Sequence, residues 1–339
     1  MKKRIKRLST ALIIAIVITL IGNIPLPYYV SRPGMAMELS DVIEVENGSE
    51  ANGEFMLTTI RLGKANIFSY FMTKFHPYYL LEPEEAVRPE NESDEEYRVR
   101  QLYMMETSQE NALQVAFAKA GNPYEVQYNG IYVLAILEDG PAEGILQPGD
   151  RIIAVDDRMM QRADEFTNYV QTHREGETIE LTLIRDGEVR KEKVTLQMIP
   201  EIGKPGIGIS LVEDKEVTTD PQVEIDTEDI GGPSAGLMFA LEIYNQLVEE
   251  DITKGYRIAG TGTISPEGEV GPIGGIRQKV VAAAEAGAEI FFAPNENGRS
   301  GSDYELAVET ARNINSDMII VPVDTFDEAL AYLQSLEEK

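Results

Sequence analysis

Thr261-Gly262-Thr263-Ile264-Ser265, continued by Gly268, Val270, Pro272-Ile273-Gly274-Gly275-Ile276 and Lys279, is the stretch on which the fold turns. Its first residues read as the end of a strand over 256–264. Pro266-Glu267-Gly268-Glu269 reads as a turn. The glycine pair precedes an expected helix over 276–286, closed by Gly287. Upstream, Gly231-Gly232-Pro233-Ser234-Ala235-Gly236 sets a serine among small residues, ahead of an amphipathic helix expected over 234–249 with Leu237, Leu241, Tyr244 and Val248 on one side. Downstream come a strand at 290–293, a helix over 304–313, a strand at 318–323 and a last helix to Leu336. Strands and helices interleave, so this part of the chain is α/β or α+β.

Composition narrows the chemistry. The 339 residues suggest two or three domains. The chain carries 30 basic against 58 acidic residues, a net charge of -28, which argues against nucleic acid as a partner. There is no cysteine, so thiol nucleophiles, disulfides and cysteine metal sites are excluded. Only His76 and His173 are present, in different expected domains. An HExxH zinc site is ruled out, and no metal or cofactor is expected. His76, before Pro77 in an aromatic patch, reads as a packing residue, and His173 as a solvent-side one.

Ser234 has two readings. A serine at a helix start is a favoured cap. It can also be a nucleophile, because the first turn offers free N–H groups and the positive end of the helix dipole to a developing oxyanion. Such a serine needs a base. A lysine can serve if burial among apolar groups lowers its pKa from about 10.4 toward neutrality. Lys279 has Ala282, Ala283 and Ala286 on its side of the helix. The competing reading is a lysine reaching out from a helix edge.

The N-terminus is basic at Lys2, Lys3, Arg4, Lys6 and Arg7, then uncharged over 8–24. Counted on to Val30, the uncharged span is long enough to cross a bilayer, with Tyr28 and Tyr29 as interfacial aromatics. An uncleaved anchor over residues 1–30 is expected, cytoplasmic at its basic end, with the rest of the chain outside. A cleaved signal peptide is the rival. Residues 31–124 read as a separate α/β region, with a strand at 56–60 and a helix from Asp94 to Ala120 stopped by Gly121.

Residues 130–137 alternate in polarity. Gly140-Pro141-Ala142-Glu143-Gly144-Ile145-Leu146 and Pro148-Gly149-Asp150-Arg151-Ile152-Ile153-Ala154-Val155 follow, then a helix over 163–173 and a hairpin turning at Asp186-Gly187. This run, placed at 125–199, resembles a PDZ domain. The resemblance implies that an extended peptide adds as a strand beside 131–136, its terminal carboxylate meeting the N–H groups of Asn129, Gly130, Ile131 and Tyr132. A PDZ that only packs against its neighbour is the alternative. The prolines and Gly203 at 200–205 read as a linker to the last domain.

Gly-Pro-Ser-Ala-Gly at 232–236, the run from Thr261 to Lys279, Gly287 and Pro294-x-x-Asn297 together closely resemble the proteolytic domain of the Lon family, over roughly 206–337. The resemblance implies that Ser234 is the nucleophile and Lys279 the general base. Thr261 then orients the amine, and Ser234 with the preceding Gly232 and Pro233 forms the oxyanion loop. Two features depart from the family. The acidic residue usual three places before the serine is Gly231 here. No GxxxxGK[ST] phosphate loop occurs in these residues; the nearest fragment is Gly63-Lys64-Ala65.

The whole resembles bacterial membrane-anchored PDZ–Lon-like peptidases. The expected architecture is α+β and multidomain: a transmembrane helix, a PDZ domain and a Lon-type α/β proteolytic domain at 200–339. The implied function is ATP-independent serine endopeptidase activity on extracytoplasmic peptides or small membrane-associated proteins. Peptides and a lipid bilayer are the implied partners, and rings of the chain are suggested by the family. The alternative is an inactive PDZ adaptor or sensor.

Overall fold

The structure, a computed structural model, describes residues 22, 24–88, 92, 94–200, 202–227 and 230–339. The chain opens with β1 (Pro25–Glu38), β2 (Ile43–Val45), β3 (Glu54–Asn66), α1 (Ile67–Met72), β4 (Leu80–Pro83), α2 (Glu84–Val87) and the long α3 (Asp94–Ala120). The middle holds β5 (Tyr124–Ile136), β6 (Arg151–Val155), β7 (Arg158–Met159), α4 (Ala163–Gln171), β8 (Thr178–Arg185), β9 (Glu188–Thr195), β10 (Gln197–Ile199), β11 (Lys204–Gly206), β12 (Ile209–Thr219) and β13 (Val223–Ile225). The last third is α5 (Gly236–Leu247), β14 (Arg257–Gly260), β15 (Thr263–Ile264), β16 (Val270–Gly271), α6 (Ile276–Glu285), β17 (Ile290–Pro294), α7 (Asp303–Asn313), β18 (Ile319–Val323) and α8 (Phe326–Gln334).

A mixed sheet in the order β18-β17-β14-β3-β1-β4 carries the larger body. Its first four strands are parallel, and β1 and β4 are antiparallel additions. Successive side chains alternate faces, as a pleated strand requires. Phe55 and Leu57 of β3, Ile258 of β14 and Phe292 of β17 enter one core with α3, α5 and α8. Met56, Ala259 and Phe291 enter the other, under α6 and α7. Covering both faces suits the apolar runs of these strands. Fully burying each such side chain contributes about 1.5–3 kcal/mol.

Three expectations change. The sheet runs through the boundary drawn at residue 124, because β1 and β3 pair into the same sheet as β14, β17 and β18. Residues 31–124 are therefore not a separate region but the missing half of the larger body. The helix within them does span Asp94–Ala120. Pro25 to Val30, counted into the membrane span, belong to β1, where Val30 and Ser31 are buried. Of the remainder, residues 1–21 and 23 lie outside the described residues; among the described ones no helix is long and apolar enough to cross a membrane.

The second body is the sheet β12-β5-β6-β8-β9, with β7 on β6 and α4 packed over it. Here the third expectation fails. A linker at 200–205 would make β12 the start of the last domain, yet it pairs antiparallel with β5 along its whole length, from Ile209 opposite Ile136 to Thr219 opposite Tyr124. The edge of β5 expected to receive a peptide is occupied by the chain itself. Ile209 and Leu211 pack on the same core as Phe166 and Val170 of α4, and Ala163 N–H donates to Glu213 Oε1 at 3.3 Å.

Candidate active site

Ser234 stands in a turn just ahead of α5, which begins at Gly236 with Ala235 as its cap, two residues later than the periodicity predicts. Its carbonyl is held twice, by Gly262 N–H at 2.9 Å and by Thr261 Oγ1 at 2.9 Å. Leu237 N–H returns to the Gly262 carbonyl at 3.1 Å. The end of β14 is thereby stitched to the serine turn, and the small residues there serve close approach. A Cβ on Gly236 would lie 2.7 Å from both Ile264 Cγ2 and Ser108 Oγ.

Lys279 enters from the opposite face of the sheet, on the first turn of α6. Gly275 starts that helix with φ +74°, and a Cβ there would lie 2.7 Å from Ile60 Cγ2. Only glycine satisfies both conditions. The Lys279 amine is 2.6 Å from Ser234 Oγ and 2.9 Å from Thr261 Oγ1. Lys279 is 2% exposed. Burial pushes its pKa down to about 7, partly opposed by the nearby charge of Asp303. Asp303, also buried, accepts from Ile273 N–H at 2.8 Å and so fixes the loop that leads into α6. Ser234, Thr261 and Lys279, chosen from sequence, are brought together in one contact set.

Gly232 and Pro233 flank this set with different capacities. Pro233 has no N–H, and Gly232 N–H is committed to the Gln101 carbonyl at 2.8 Å. Among the described residues the Ser234 N–H donates to no protein acceptor. That arrangement exposes what the sequence reading missed, which is the role of α3. Its middle lies across the serine turn: Ser108 Oγ donates to the Pro233 carbonyl at 3.0 Å, and Asn111 Nδ2 to the Ile264 carbonyl at 2.8 Å. A Cβ on Gly231 would come within 2.7 Å of Gln101 Cβ. The departure at Gly231 has a steric cause, since α3 fills the space of a side chain. It was the one signal in the sequence of this contact.

The dyad opens into a cleft of about 800 Å³ between β3 and α3. Residues 58–62 of β3 form one wall; Tyr97, Gln101, Leu102 and Met105 form the other. β14 stops at Gly260, opposite Leu57, so β3 continues past it along the cleft.

The PDZ candidates lie elsewhere. Gly130, Ile131 and Tyr132 pair with Asp214, Glu213 and Val212 of β12, and Asn129 falls at the register shift beside them. The Asp214 carboxylate, opposite Gly130, is ion-paired with Arg151. Tyr132 stacks on Tyr103 of α3 with ring centroids 3.9 Å apart, and Tyr103 O–H donates to the Glu213 carbonyl at 2.8 Å. His173 caps the end of α4, its Nδ1 3.0 Å from the Tyr169 carbonyl. His76 is exposed rather than packed inside, stacked on Tyr79 at 4.6 Å.

Comparison with known proteins finds a separate match for the core of each body. Residues 222–335 match the model of the Lon protease (S16) C-terminal proteolytic domain, and residues 110–196 that of the PDZ domain. A Lon protease from Metamycoplasma arthritidis is 32% identical over 108 residues, 32% of this chain and 12% of that protein. One from Campylobacter concisus is 37% identical over 99 residues, 29% of this chain and 11% of that protein. A mitochondrial Lon protease homolog from Caenorhabditis elegans is 42% identical over 102 residues, 30% of this chain and 10% of that protein. The chain thus spans about a tenth of the length of these relatives. Among solved structures, the PDZ domain of an SdrC-like protein from Listeria monocytogenes is 32% identical; the match covers 26% of this chain and 93% of that one, with a TM-score of 0.25. One stretch of this chain thus matches the PDZ domain and a later one the Lon C-terminal proteolytic domain.

Proposed function

We propose that the chain is a serine endopeptidase working without ATP, with Ser234 as nucleophile and Lys279 as general base, on extended segments of peptides or small membrane-associated proteins. The observation that carries this is the 2.6 Å contact between the Lys279 amine and Ser234 Oγ inside a buried pocket. A lysine with a pKa near 7 is largely able to act as a base at neutral pH.

In this mechanism the neutral amine takes the proton of Ser234 as Oγ bonds to the substrate carbonyl carbon. The oxyanion faces the Ser234 N–H at the positive end of α5. Lys279 then gives its proton to the leaving amine as the C–N bond breaks. Water, deprotonated by the same lysine, attacks the acyl-enzyme and frees the serine. Thr261 Oγ1 accepts from the amine and keeps its lone pair aimed at Oγ. An extended substrate can lie along residues 58–62 of β3, which line the cleft beyond the end of the β14 pairing at Leu57.

The adaptor reading has less support, because an adaptor needs an open docking edge and β12 lies on that edge. Cleavage of an unstructured polypeptide by the purified chain, compared with Ser234→Ala, separates the two. Equal cleavage by that variant would sink the proposal.

A further inference from the structure

The chain has ten phenylalanines. Seven of them are at most 2% exposed. The other three, Phe68, Phe71 and Phe75, are 68%, 59% and 76% exposed, and all belong to one short segment. They sit at positions i, i+3 and i+7 of α1 and the turns that extend it, where Thr73 N–H reaches the Ser69 carbonyl and His76 N–H the Met72 carbonyl. That spacing puts the three rings on one side. Leu80 and Ile24 add exposed apolar surface. Scattered exposed apolar residues are ordinary, but a cluster of large rings on one turn marks an interaction surface.

Charge says what kind of partner fits. Residues 55–81 contain no aspartate or glutamate, although the chain as a whole has net charge -28. They carry Arg61, Lys64 and Lys74. Residues 1–37 are equally free of acidic side chains. The two acid-free stretches meet in the fold, since Pro25 pairs with Asn66, the residue that caps α1. The nearest acids after them are engaged: Glu82 accepts from Ser31 Oγ, and Glu84 from Arg88 and Lys64. Pro25, the first residue of β1, therefore lies beside the residue that opens the segment bearing the exposed rings.

We infer that the Phe68–Phe71–Phe75 face of α1 docks on a lipid surface. Exposed phenylalanines on a stretch that carries Arg61, Lys64 and Lys74 and no carboxylate of its own suit the headgroup boundary of a bilayer that contains anionic lipid. A docked α1 fixes the height of the catalytic cleft. Leu62, on the cleft wall, is four residues before Asn66, about 13 Å along a strand. The cleft then faces segments that emerge from the same membrane, which narrows its substrates to membrane-proximal polypeptide.

The chain contains no tryptophan, so a single introduced one reports its own site. The full chain is reconstituted in vesicles of phosphatidylcholine, with and without phosphatidylglycerol, carrying Phe75→Trp or, on the exposed face of β9, Val189→Trp. The Phe75→Trp emission is expected to shift to the blue and to be quenched severalfold more by brominated lipid than that of Val189→Trp, more strongly with phosphatidylglycerol. Equal iodide quenching at both sites, or protection that follows protein concentration without quenching by lipid, overturns the inference; the latter would mean a second copy covers the rings. As a second arm, Phe68→Ser/Phe71→Ser/Phe75→Ser keeps cleavage of a soluble peptide and loses it severalfold on a bilayer-anchored one. An equal loss on both, or none on either, also overturns it. Inactivity toward every substrate in the wild type would instead strike the dyad.

Discussion

Two lysines are buried among the described residues, and they have opposite fates. Lys279 is 2% exposed and meets the hydroxyls of Ser234 and Thr261. Lys215, on β12, is 8% exposed and donates to Asn111 Oδ1 at 2.6 Å. Burial lowers both pKa values. Around Lys215 the carboxylates of Glu110 and Glu213 pull the other way, and Glu110 is itself pushed up to about 8 by burial. Lys279 has only Asp303 to oppose its desolvation. Burial alone does not make a base. It makes one where the amine points at a nucleophile; where it points at an amide and acids, it makes a joint between α3 and β12.

The largest test of that contrast is catalytic. Ser234→Ala and Lys279→Met are each expected to lower kcat by at least about 10³-fold, as when a member of a nucleophile–base pair is lost. Lys215→Met should leave kcat for a soluble peptide within the scatter of the assay. A large loss from Lys215→Met would erase the distinction between the two lysines.

A smaller effect is expected at the orienting hydroxyl. Thr261→Val should slow cleavage on the order of tenfold, about the worth of one hydrogen bond to a charged or reacting group. Steady-state kinetics would show it in kcat with KM nearly unchanged.

The pH profile sharpens the comparison further. Only the deprotonated amine accepts the proton of Ser234, so kcat/KM should rise with pH through about 7 and level off above it. Lys215→Met should keep that midpoint. A rise centred near the ordinary lysine value would mean that Lys279 is not desolvated in the working enzyme.

Stability should move in opposite directions. The folded pKa of Lys279 lies below its unfolded value of about 10.4. The unfolded chain therefore binds more protons between the two values, and this group makes stability rise with pH across that window. Replacing it removes a cost at pH 7, so Lys279→Met should melt a few degrees higher than the wild type. Lys215→Met should instead lose about 1–3 kcal/mol, because the half-buried Asn111 oxygen is left without its donor. Gly231→Ala, which forces α3 off the serine turn, should cost about 1–3 kcal/mol as an overpacking change. Thermal melts at pH 7 read all three.

The meeting of Ser234, Thr261 and Lys279 was legible because these residues lie in two short runs, 231–236 and 261–279, whose glycines mark close approach. The groups approached, Ser108 beside Gly236 and Ile60 beside Gly275, lie far away in sequence and were not legible. The helix from Asp94 to Ala120 was legible from its periodicity and from Gly121. Pairing was not. Residues 25–30 read as the end of an apolar span because nothing near them reveals that β3 lies thirty residues on. β12 reads equally well as the first strand of a new domain or the last of the previous one, and only its register on β5 decides. Gly231 looked like a missing charge and is a site of helix contact.

β12 also behaves as a tethered competitor. A strand joined to its own receptor acts at a local concentration on the millimolar scale for a short linker. An incoming peptide gains only the difference between its own pairing with β5 and that of Ile209 to Asp214. If β12 left its place about 1% of the time, a peptide would bind about a hundredfold more weakly than its contacts warrant. Only ligands abundant or held nearby could overcome that handicap. Any peptide that adds to β5 would thus compete with a strand that the same chain holds in place.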